Sequence, residues 1–288
     1  MTSSPGRPIP GPAPPPGGAA PQGGLHLVEW ACEFLGTLVL VLGGLSAVCL
    51  DFGQGMPIAR LIPSASARLL LTGLLFAATG SLFALTPPGR RSGAHLNPCI
   101  TLAFFATGHV HRDDLLGYVG AQCLGAITGA AVLRWIWAGV AVSVRDGRTL
   151  PGPGTGGPQA VAIEALMTAI LVLTILICVA HRRSLRWTPT AVWIVVALLV
   201  WRGAPYTGTS LNPARSLGPA VVAARFGSLW VYLVGPPLGA LAAVALQRGW
   251  GRHLPLTAKL FHDEGYPSVL RSWLPTDRRP AQIPAEGR

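Results

Sequence analysis

Six long apolar stretches alternate with polar segments along this chain, and two shorter apolar stretches lie between them. A helix needs about 20 mostly apolar residues to cross the roughly 30 Å hydrocarbon core of a bilayer. The long stretches cover residues 25–50, 65–85, 115–140, 160–180, 187–202 and 229–247, of which the fifth is the shortest. The pattern predicts an all-α integral membrane protein with six transmembrane helices.

The two shorter stretches, residues 97–106 and 212–223, each begin with an Asn-Pro pair. Asparagine is a favoured N-cap, and proline suits the first helical position because its missing N–H would have no partner there. A helix of about ten residues extends about 15 Å, which is half of the hydrocarbon core. Two ordinary helix starts would explain the pairs locally, but not why each segment is half a membrane long. We therefore predict two re-entrant half-helices that enter from opposite faces and meet by their N-termini.

The two halves of the chain repeat three landmarks in the same order, namely a Glu-x-x-x-Thr pair, a box that contains Asn-Pro, and a Gly-Ala pair. These landmarks lie at 33–37 and 164–168, at 92–99 and 207–214, and at 125–126 and 239–240. Because each half contains three spans, the second copy enters the membrane upside down. The sequence thus predicts an inverted-topology repeat, whose functional site is expected near the midplane where the halves meet.

The charge of the chain supports the membrane prediction. Only 11% of the 288 residues are charged, although the formal net charge is +11. Nucleic-acid binders are also basic, but the arginines here border the apolar stretches. If both termini are cytoplasmic, 14 Lys and Arg residues lie on the inner side and four in the outer loops. This positive-inside distribution predicts a multi-pass protein of the plasma membrane with both termini in the cytoplasm, in contact with lipid and without a nucleic-acid partner.

Three features of the chain are typical of one protein family. They are the two Asn-Pro boxes, the two Glu-x-x-x-Thr pairs and the stretch Thr-Gly-Thr-Ser-Leu-Asn-Pro-Ala-Arg at 207–215. Over residues 25–247 the chain resembles the aquaporin (major intrinsic protein) family. The resemblance implies six spans plus two half-helices, a passive pore in each subunit and usually a homotetramer. It implies transport of water and small neutral solutes without a cofactor.

Composition and the resemblance together predict three domains. Residues 1–24, with eight prolines and many glycines, have the composition of a disordered tail. An aquaporin-like channel domain is expected at 25–248, with a first repeat at about 25–140 and a second at about 160–248, followed by a cytoplasmic tail at 249–288. The five cysteines show no CxxC spacing, so we expect neither a disulfide framework nor a metal site.

The asparagines of the two boxes and one arginine are the expected pore residues. Asn97 and Asn212 would each offer an amide donor at mid-membrane, so that a passing water accepts both bonds and cannot relay a proton. The positive ends of the two half-helix dipoles, each about half an elementary charge, also repel cations there. Arg215, three residues after Asn212, would add a positive charge to the pore. The matching residue of the first half is Ile100, which makes this constriction one-sided and directed outward.

By the same resemblance, several buried residues support the re-entrant loops. Glu33 and Glu164 would accept hydrogen bonds from the loop backbone, and His95 would steady the loop before Asn97. Pro98 and Pro213 begin the half-helices. We interpret these residues as structural supports and not as catalytic groups.

The chain departs from the family pattern at the expected selectivity filter. Val200 stands where water-specific members carry a histidine, and Thr72 replaces an aromatic residue if an insertion is placed around residues 86–91. A filter of Thr72, Val200, Thr209 and Arg215 would be wider and less polar than that of a water-only channel. This departure favours a pore that admits more than water.

Two further residues favour water, because Ser216 and Ala220 occupy positions where they resemble water channels, whereas glycerol facilitators usually carry an aspartate after the arginine. Water is therefore the expected substrate. A facilitator for glycerol, urea or ammonia and a non-conducting membrane scaffold stay open as alternatives. An intramembrane enzyme is not indicated, because no Ser-His or HExxH arrangement lies in the spans.

The first box reads Asn-Pro-Cys instead of Asn-Pro-Ala. If this box lies at the narrow midplane, we expect the Cys99 thiol to line the pore, where a small mercurial would reach it and block the water path. The alternative is a cysteine that takes the place of alanine and faces a neighbouring helix.

Overall fold

The computed structural model describes residues 23–249, 256, 258 and 270, with only the backbone at position 183. Within these residues all regular elements are helices, numbered α1 to α11 in chain order. They are α1 Leu27–Phe52, α2 Ile58–Leu61, α3 Ala65–Leu85, α4 Pro87–Ser92, α5 Pro98–Ala106, α6 Arg112–Ser143, α7 Gly157–Val179, α8 Arg182–Leu185, α9 Thr188–Thr207, α10 Pro213–Val222 and α11 Leu229–Gly249. A short 3₁₀ turn, Arg145–Gly147, lies between α6 and α7.

Six of the described helices are long and apolar enough to cross a membrane, namely α1, α3, α6, α7, α9 and α11. This confirms the predicted six-span architecture, and five of the six begin and end within three residues of the predicted limits. The exception is α9, which continues past Arg202 and Pro205 to Thr207. Arginine is a good helix former, and the exposed guanidinium of Arg202 lies over the ring of Trp201, 4.3 Å from the ring centroid.

The two predicted half-helices are α5, with nine residues, and α10, with ten. Each begins at an asparagine N-cap. The Oδ1 atom of Asn97 accepts a hydrogen bond from Cys99 N at 2.8 Å, and that of Asn212 accepts one from Ala214 N at 3.0 Å. At about 1.5 Å per residue, neither helix crosses the membrane alone, as the sequence predicted.

The two halves repeat the same close helix packing. A Cβ atom on Gly125 of α6 would lie 2.3 Å from the Phe34 carbonyl oxygen of α1, and one on Gly239 of α11 would lie 2.1 Å from that of Ala165 in α7. Phe34 and Ala165 follow the two repeated glutamates. Because only glycine allows the backbones to approach so closely, α1 with α6 and α7 with α11 form equivalent pairs.

Each half-helix packs mainly against the helix pair of the other repeat. Ala103 of α5 belongs to a buried cluster with Leu171 of α7 and Ala240 of α11. In the same way, Ala214 of α10 belongs to a cluster with Leu133 of α6. The half-helices are therefore exchanged between the two repeats.

The predicted N-terminal tail lies outside the described residues except for positions 23 and 24, and most of the predicted C-terminal tail also lies outside them. Three described positions beyond α11 are buried, namely Leu256, Ala258 and Leu270, with exposed fractions of 2%, 2% and 5%. All three belong to the cluster that surrounds α5. Part of the C-terminal segment thus contacts the first half of the molecule.

Candidate functional site

The loop before α5 is held by the buried carboxylate of Glu33. Its Oε1 accepts hydrogen bonds from Ser92 Oγ at 2.7 Å and from the backbone N–H of His95 at 3.0 Å. Its Oε2 accepts from Leu96 N at 2.7 Å and from Gln122 Nε2 at 2.8 Å. Four donors therefore converge on one carboxylate.

The loop before α10 repeats this arrangement around Glu164. Its Oε1 accepts from Thr207 Oγ1 at 2.7 Å and from Ser210 N at 2.8 Å, and its Oε2 accepts from Leu211 N at 2.9 Å. These geometries are those expected for Glu33 and Glu164 as loop supports.

A pair of buried tyrosines extends the match between the loops. Tyr118 donates its hydroxyl to Ser92 O at 2.8 Å, and Tyr232 donates to Thr207 O at 2.7 Å. The sequence alone assigned neither tyrosine to loop support, and weighed Tyr232 with Leu233 only as a mixed indication of the substrate, although both tyrosines lie seven residues before a Gly-Ala pair. That spacing is the signal from which they could have been found.

Both loops contain two left-handed residues other than glycine. The φ angles are 51° at Ala94 and 50° at Leu96 in the first loop, and 48° at Thr209 and 58° at Leu211 in the second. Such a conformation costs about 1–2 kcal/mol per residue. The hydrogen bonds to the two glutamates hold the loops in this shape.

The amide groups of the two asparagines cross between the loops. Asn97 Nδ2 donates to Leu211 O at 2.8 Å, and Asn212 Nδ2 donates to Leu96 O at 2.8 Å. An amide nitrogen carries two N–H donors, so each asparagine keeps a second donor. The sequence analysis expected both asparagines at mid-membrane but missed this crossed pairing, because it depends on how the two loops meet.

Two cavities lie on either side of the asparagine loops. The His95 cavity, of about 120 Å³, is lined by His95, both asparagines and the start of α9 at Thr188 and Pro189. The Thr72 cavity, of about 190 Å³, is lined by Thr72, Val200 and Thr209 together with residues near the end of α1. Both are large enough to hold water, for which about 10–15 Å³ suffices.

Five residues line both cavities and therefore surround the junction between them, which we call the neck. They are Phe76, Val196, Ser210, Leu211 and Arg215. Of the expected filter residues, only Arg215 belongs to the neck. The neck therefore lies deeper in the molecule than Thr72, Val200 and Thr209.

Arg215 lies in the first turn of α10 with only 6% of its surface exposed. Its Nη1 donates to Gly147 O at 2.8 Å, and its Cζ lies 5.4 Å from the ring centroid of Phe76. The turn that contains Gly147 is itself held by an ion pair, in which Arg134 Nη1 lies 2.6 Å from Asp146 Oδ1. Among the described residues, the guanidinium has this one hydrogen-bond acceptor.

The hydroxyl of Thr72 is engaged away from the expected filter. Thr72 Oγ1 donates to Asp51 Oδ2 at 2.6 Å, and Asp51 is 1% exposed. The insertion that the alignment needed forms the short helix α4, Pro87–Ser92. Thr72 thus lines its cavity without a free hydroxyl hydrogen.

His95 contacts both α5 and the C-terminal segment. Its Nδ1 lies 3.2 Å from Thr101 Oγ1, its Nε2 lies 2.9 Å from Ala258 O, and its ring stacks on Phe104 with the centroids 5.0 Å apart. Since Ala258 also lines the His95 cavity, this end of the cavity is covered by the C-terminal segment. Pro98 and Pro213 occupy the first positions of α5 and α10, as expected.

The structure corrects the expectation for Cys99, whose thiol lies outside the pore. Its side chain is 0% exposed, lines neither cavity and packs in the cluster around α5. The reason is helical geometry, because a residue two positions after Asn97 points about 200° away from it. Ile100, three positions after Asn97, lines the His95 cavity instead, and Ala214 is buried like Cys99.

Comparison with known proteins agrees with this geometry. A family model described as Major intrinsic protein matches residues 26–246. Aquaporin-2 from Bos taurus is 38% identical over 216 residues, which cover 74% of this chain and 75% of the relative. Lens fiber major intrinsic protein from Gallus gallus is 34% identical over 256 residues, or 88% of this chain and 91% of the relative.

A solved structure shares the fold. The aquaglyceroporin from Plasmodium falciparum matches with a TM-score of 0.65 and 22% sequence identity, covering 77% of this chain and 95% of that chain. At this identity the likeness concerns the fold alone.

Proposed function

The chain belongs to the major intrinsic protein family and is a multi-pass membrane channel, not an enzyme, and from this premise we propose that its pore conducts water and excludes protons and other ions. The observation that carries the proposal is the crossed pair of asparagines. Asn97 and Asn212 both line the His95 cavity, and each keeps one N–H donor after the bond to the opposite loop.

These two donors can orient a water molecule. A water that accepts from both asparagines turns its oxygen toward them and its hydrogens toward the two ends of the pore. Its lone pairs are then occupied, so it cannot accept a proton from the next water in the file. Water molecules pass while the proton relay is interrupted at this point.

Electrostatics adds a barrier to cations. The N-termini of α5 and α10 each present a partial positive charge of about half an elementary charge, and both begin at the asparagines. Arg215 adds a full charge at the neck, with 6% of its surface exposed. Positive potential along the same path is the arrangement that excludes cations and protons.

A facilitator for small neutral solutes is the second candidate. The Thr72 cavity favours it, because Thr72, Val200 and Thr209 are short side chains that line a space of about 190 Å³. Urea or ammonia would meet no bulky side chain at these three positions.

We also propose that the chain forms homotetramers in the plasma membrane with both termini in the cytoplasm. The distribution of positive charges supports the orientation, in which the Thr72 cavity lies at the outer end of the pore. Family membership supports the tetramer. Chemical cross-linking in native membranes, with antibody access to tags at each terminus in intact cells, tests assembly and orientation.

Stopped-flow light scattering of proteoliposomes tests the water channel. We expect osmotic shrinkage well above that of empty liposomes, without proton flux in liposomes that contain a pH-sensitive dye. Shrinkage at the rate of empty liposomes would identify a non-conducting scaffold and refute the proposal, and so would a large proton current.

An isosteric variant separates water conduction from the exclusion of protons and ions. Asn212→Asp keeps the size of the side chain but removes its donors and adds a negative charge, so we expect it to admit protons or sodium. Thr128→Val is the control, since within the described part of the chain the Thr128 hydroxyl bonds only to Leu124 O of its own helix and Thr128 lines neither cavity.

A further inference from the structure

The neck contains an aromatic residue that the sequence analysis did not assign to the filter. Phe76 lies four residues after Thr72 in α3, and Val196 lies four residues before Val200 in α9. Because these helices run in opposite directions, both steps lead one helical turn, about 5.4 Å, deeper into the pore. The neck therefore lies one turn deeper than the expected filter level in both helices.

The ring of Phe76 is held between two groups. On one side is Gly44 of α1, where an added Cβ would lie 2.5 Å from two ring atoms and 2.6 Å from a third. On the other side is the Arg215 guanidinium, 5.4 Å from the ring centroid, within the range of a cation–π contact. Glycine at position 44 thus allows the ring to lie back against α1, and Arg215 lies across from it.

We propose that Phe76, opposite Arg215, sets the size limit of this pore, so that the neck admits water and rejects neutral solutes as large as urea and glycerol. This inference rests on the proposed function and names the residue that decides its selectivity. The ring and the guanidinium are the two bulkiest groups at the neck, where the other members are Val196, Ser210 and Leu211. The Thr72 cavity then serves as a vestibule and not as the filter.

The plainer interpretation is that Phe76 only packs α3 against α1. Its ring does contact Gly44, but Phe76 also lines both cavities, which a residue confined to the helix interface would not do. The two interpretations predict different transport. A packing residue affects stability alone, whereas a filter residue changes the ratio of solute to water permeability.

The experiment compares osmotic water permeability with urea and glycerol permeability in proteoliposomes. Phe76→Ala and the milder Phe76→Leu remove the ring, and we expect them to raise the ratio of urea to water permeability about tenfold and about threefold. Two readouts on each variant, thermal stability and water permeability, show that the protein is folded. Val200→Ala enlarges the Thr72 cavity and tests the alternative filter level, and a size limit at Phe76 predicts that it raises the ratio less than Phe76→Ala does.

A second variant adds a methyl group on the side of the Phe76 ring that packs against α1. Gly44→Ala should push the ring toward Arg215 and lower water permeability about threefold. Gly43→Ala is its matched control, because its added Cβ would meet Thr79 at 2.6 Å in the same helix pair, and Thr79 lines neither cavity. We expect Gly43→Ala to conduct water like the wild type.

The outcomes separate this inference from the proposed function. A wild type that passes no water would overturn the proposed function and this inference together. A wild type that passes water, with the solute ratio unchanged in both Phe76 variants, would overturn the inference alone. A rise of the solute-to-water ratio in Val200→Ala but not in the Phe76 variants would show that the filter lies at the level of Thr72, and would also overturn the inference.

Discussion

The two halves of the pore have the same scaffold but different chemistry. Around Glu33 and around Glu164, the same backbone and hydroxyl donors hold loops of the same left-handed shape. Three positions after the asparagine, however, one half carries Ile100 and the other Arg215. The two halves therefore share the contacts that position the loops and differ in the charge of the side chain that follows each asparagine by three positions.

The two ends of the pore are also covered in different ways. At the Thr72 cavity, the turn Arg145–Gly147 places the Gly147 carbonyl oxygen 2.8 Å from Arg215 Nη1. At the His95 cavity, the carbonyl oxygen of Ala258 lies 2.9 Å from His95 Nε2. One end is thus covered by a loop within the membrane domain and the other by a segment beyond the last span.

The largest expected effect comes from removing the buried glutamate that holds the loop in each half. Glu33→Ala and Glu164→Ala each leave several buried donors without an acceptor, at about 1–3 kcal/mol per donor. We expect the free energy of unfolding to fall by roughly 3 kcal/mol or more in each variant, measured by thermal unfolding in detergent. Glu29→Ala is the control, because among the described residues Glu29 pairs only with the partly exposed Arg91. Unchanged stability of both Glu33→Ala and Glu164→Ala would contradict the shared role.

The next effect tests the positive charge of Arg215, which has no counterpart in the first half. In Arg215→Val the neck loses its fixed charge, and we expect the cation leak measured by sodium flux to rise about tenfold, equivalent to about 1.4 kcal/mol. Adding Ile100→Arg to this variant should restore part of the exclusion, because the charge then lies in the His95 cavity. If Arg215→Val leaks no more than the wild type, the half-helix dipoles suffice and the asymmetry has another purpose.

A smaller effect concerns the covered end of the His95 cavity. Truncation after Gly249 removes Leu256, Ala258 and Leu270, and we expect water permeability to rise about twofold, because the cavity then opens without the contact to His95. Truncation after Leu270 retains all three contacts and should conduct like the full chain. Equal rates for both truncations would show that the segment does not restrict the path.

The smallest effect is expected at Cys99, which matches Ala214 in the second half. Because its side chain is fully buried outside both cavities, Cys99→Ala should leave water permeability and its response to a small mercurial unchanged. Val196→Cys places a thiol at the neck and should create sensitivity to the mercurial. If the mercurial inhibits the wild type but not Cys99→Ala, the Cys99 thiol lines the water path and its assignment to the helix packing is wrong.

Hydrophobic length and repeated residue types predicted most of the fold. The six spans and both half-helices follow from the number of apolar residues needed to cross a bilayer, or half of it. The end of α9 was missed because Arg202 and Pro205 resemble a helix end in sequence. The pattern of apolar and polar residues does not reveal the contact of the Arg202 guanidinium with the Trp201 ring.

The site was less predictable, since it depends on contacts between distant segments. The crossed amides require both loops to be placed, and the position of Phe76 depends on the packing of α3 against Gly44. Cys99 is different, because its direction could have been derived from the helical rotation after Asn97. Thr72 and Val200 were found by alignment, which identifies matching positions but not the level at which the pore is narrowest.

The exchange of half-helices between the repeats has a consequence for biosynthesis. The first half of the chain leaves the ribosome with α5 separated from its main packing partner, α11, and with the Asn97 amide lacking the acceptor of residue 211. The asparagine pair therefore forms only after the second half has been inserted, and a nascent chain that stops before α10 contains no pore. Two separately synthesised halves carry complementary surfaces, so that co-expression of residues 1–155 and 156–288 is expected to reconstitute a channel that neither fragment forms alone.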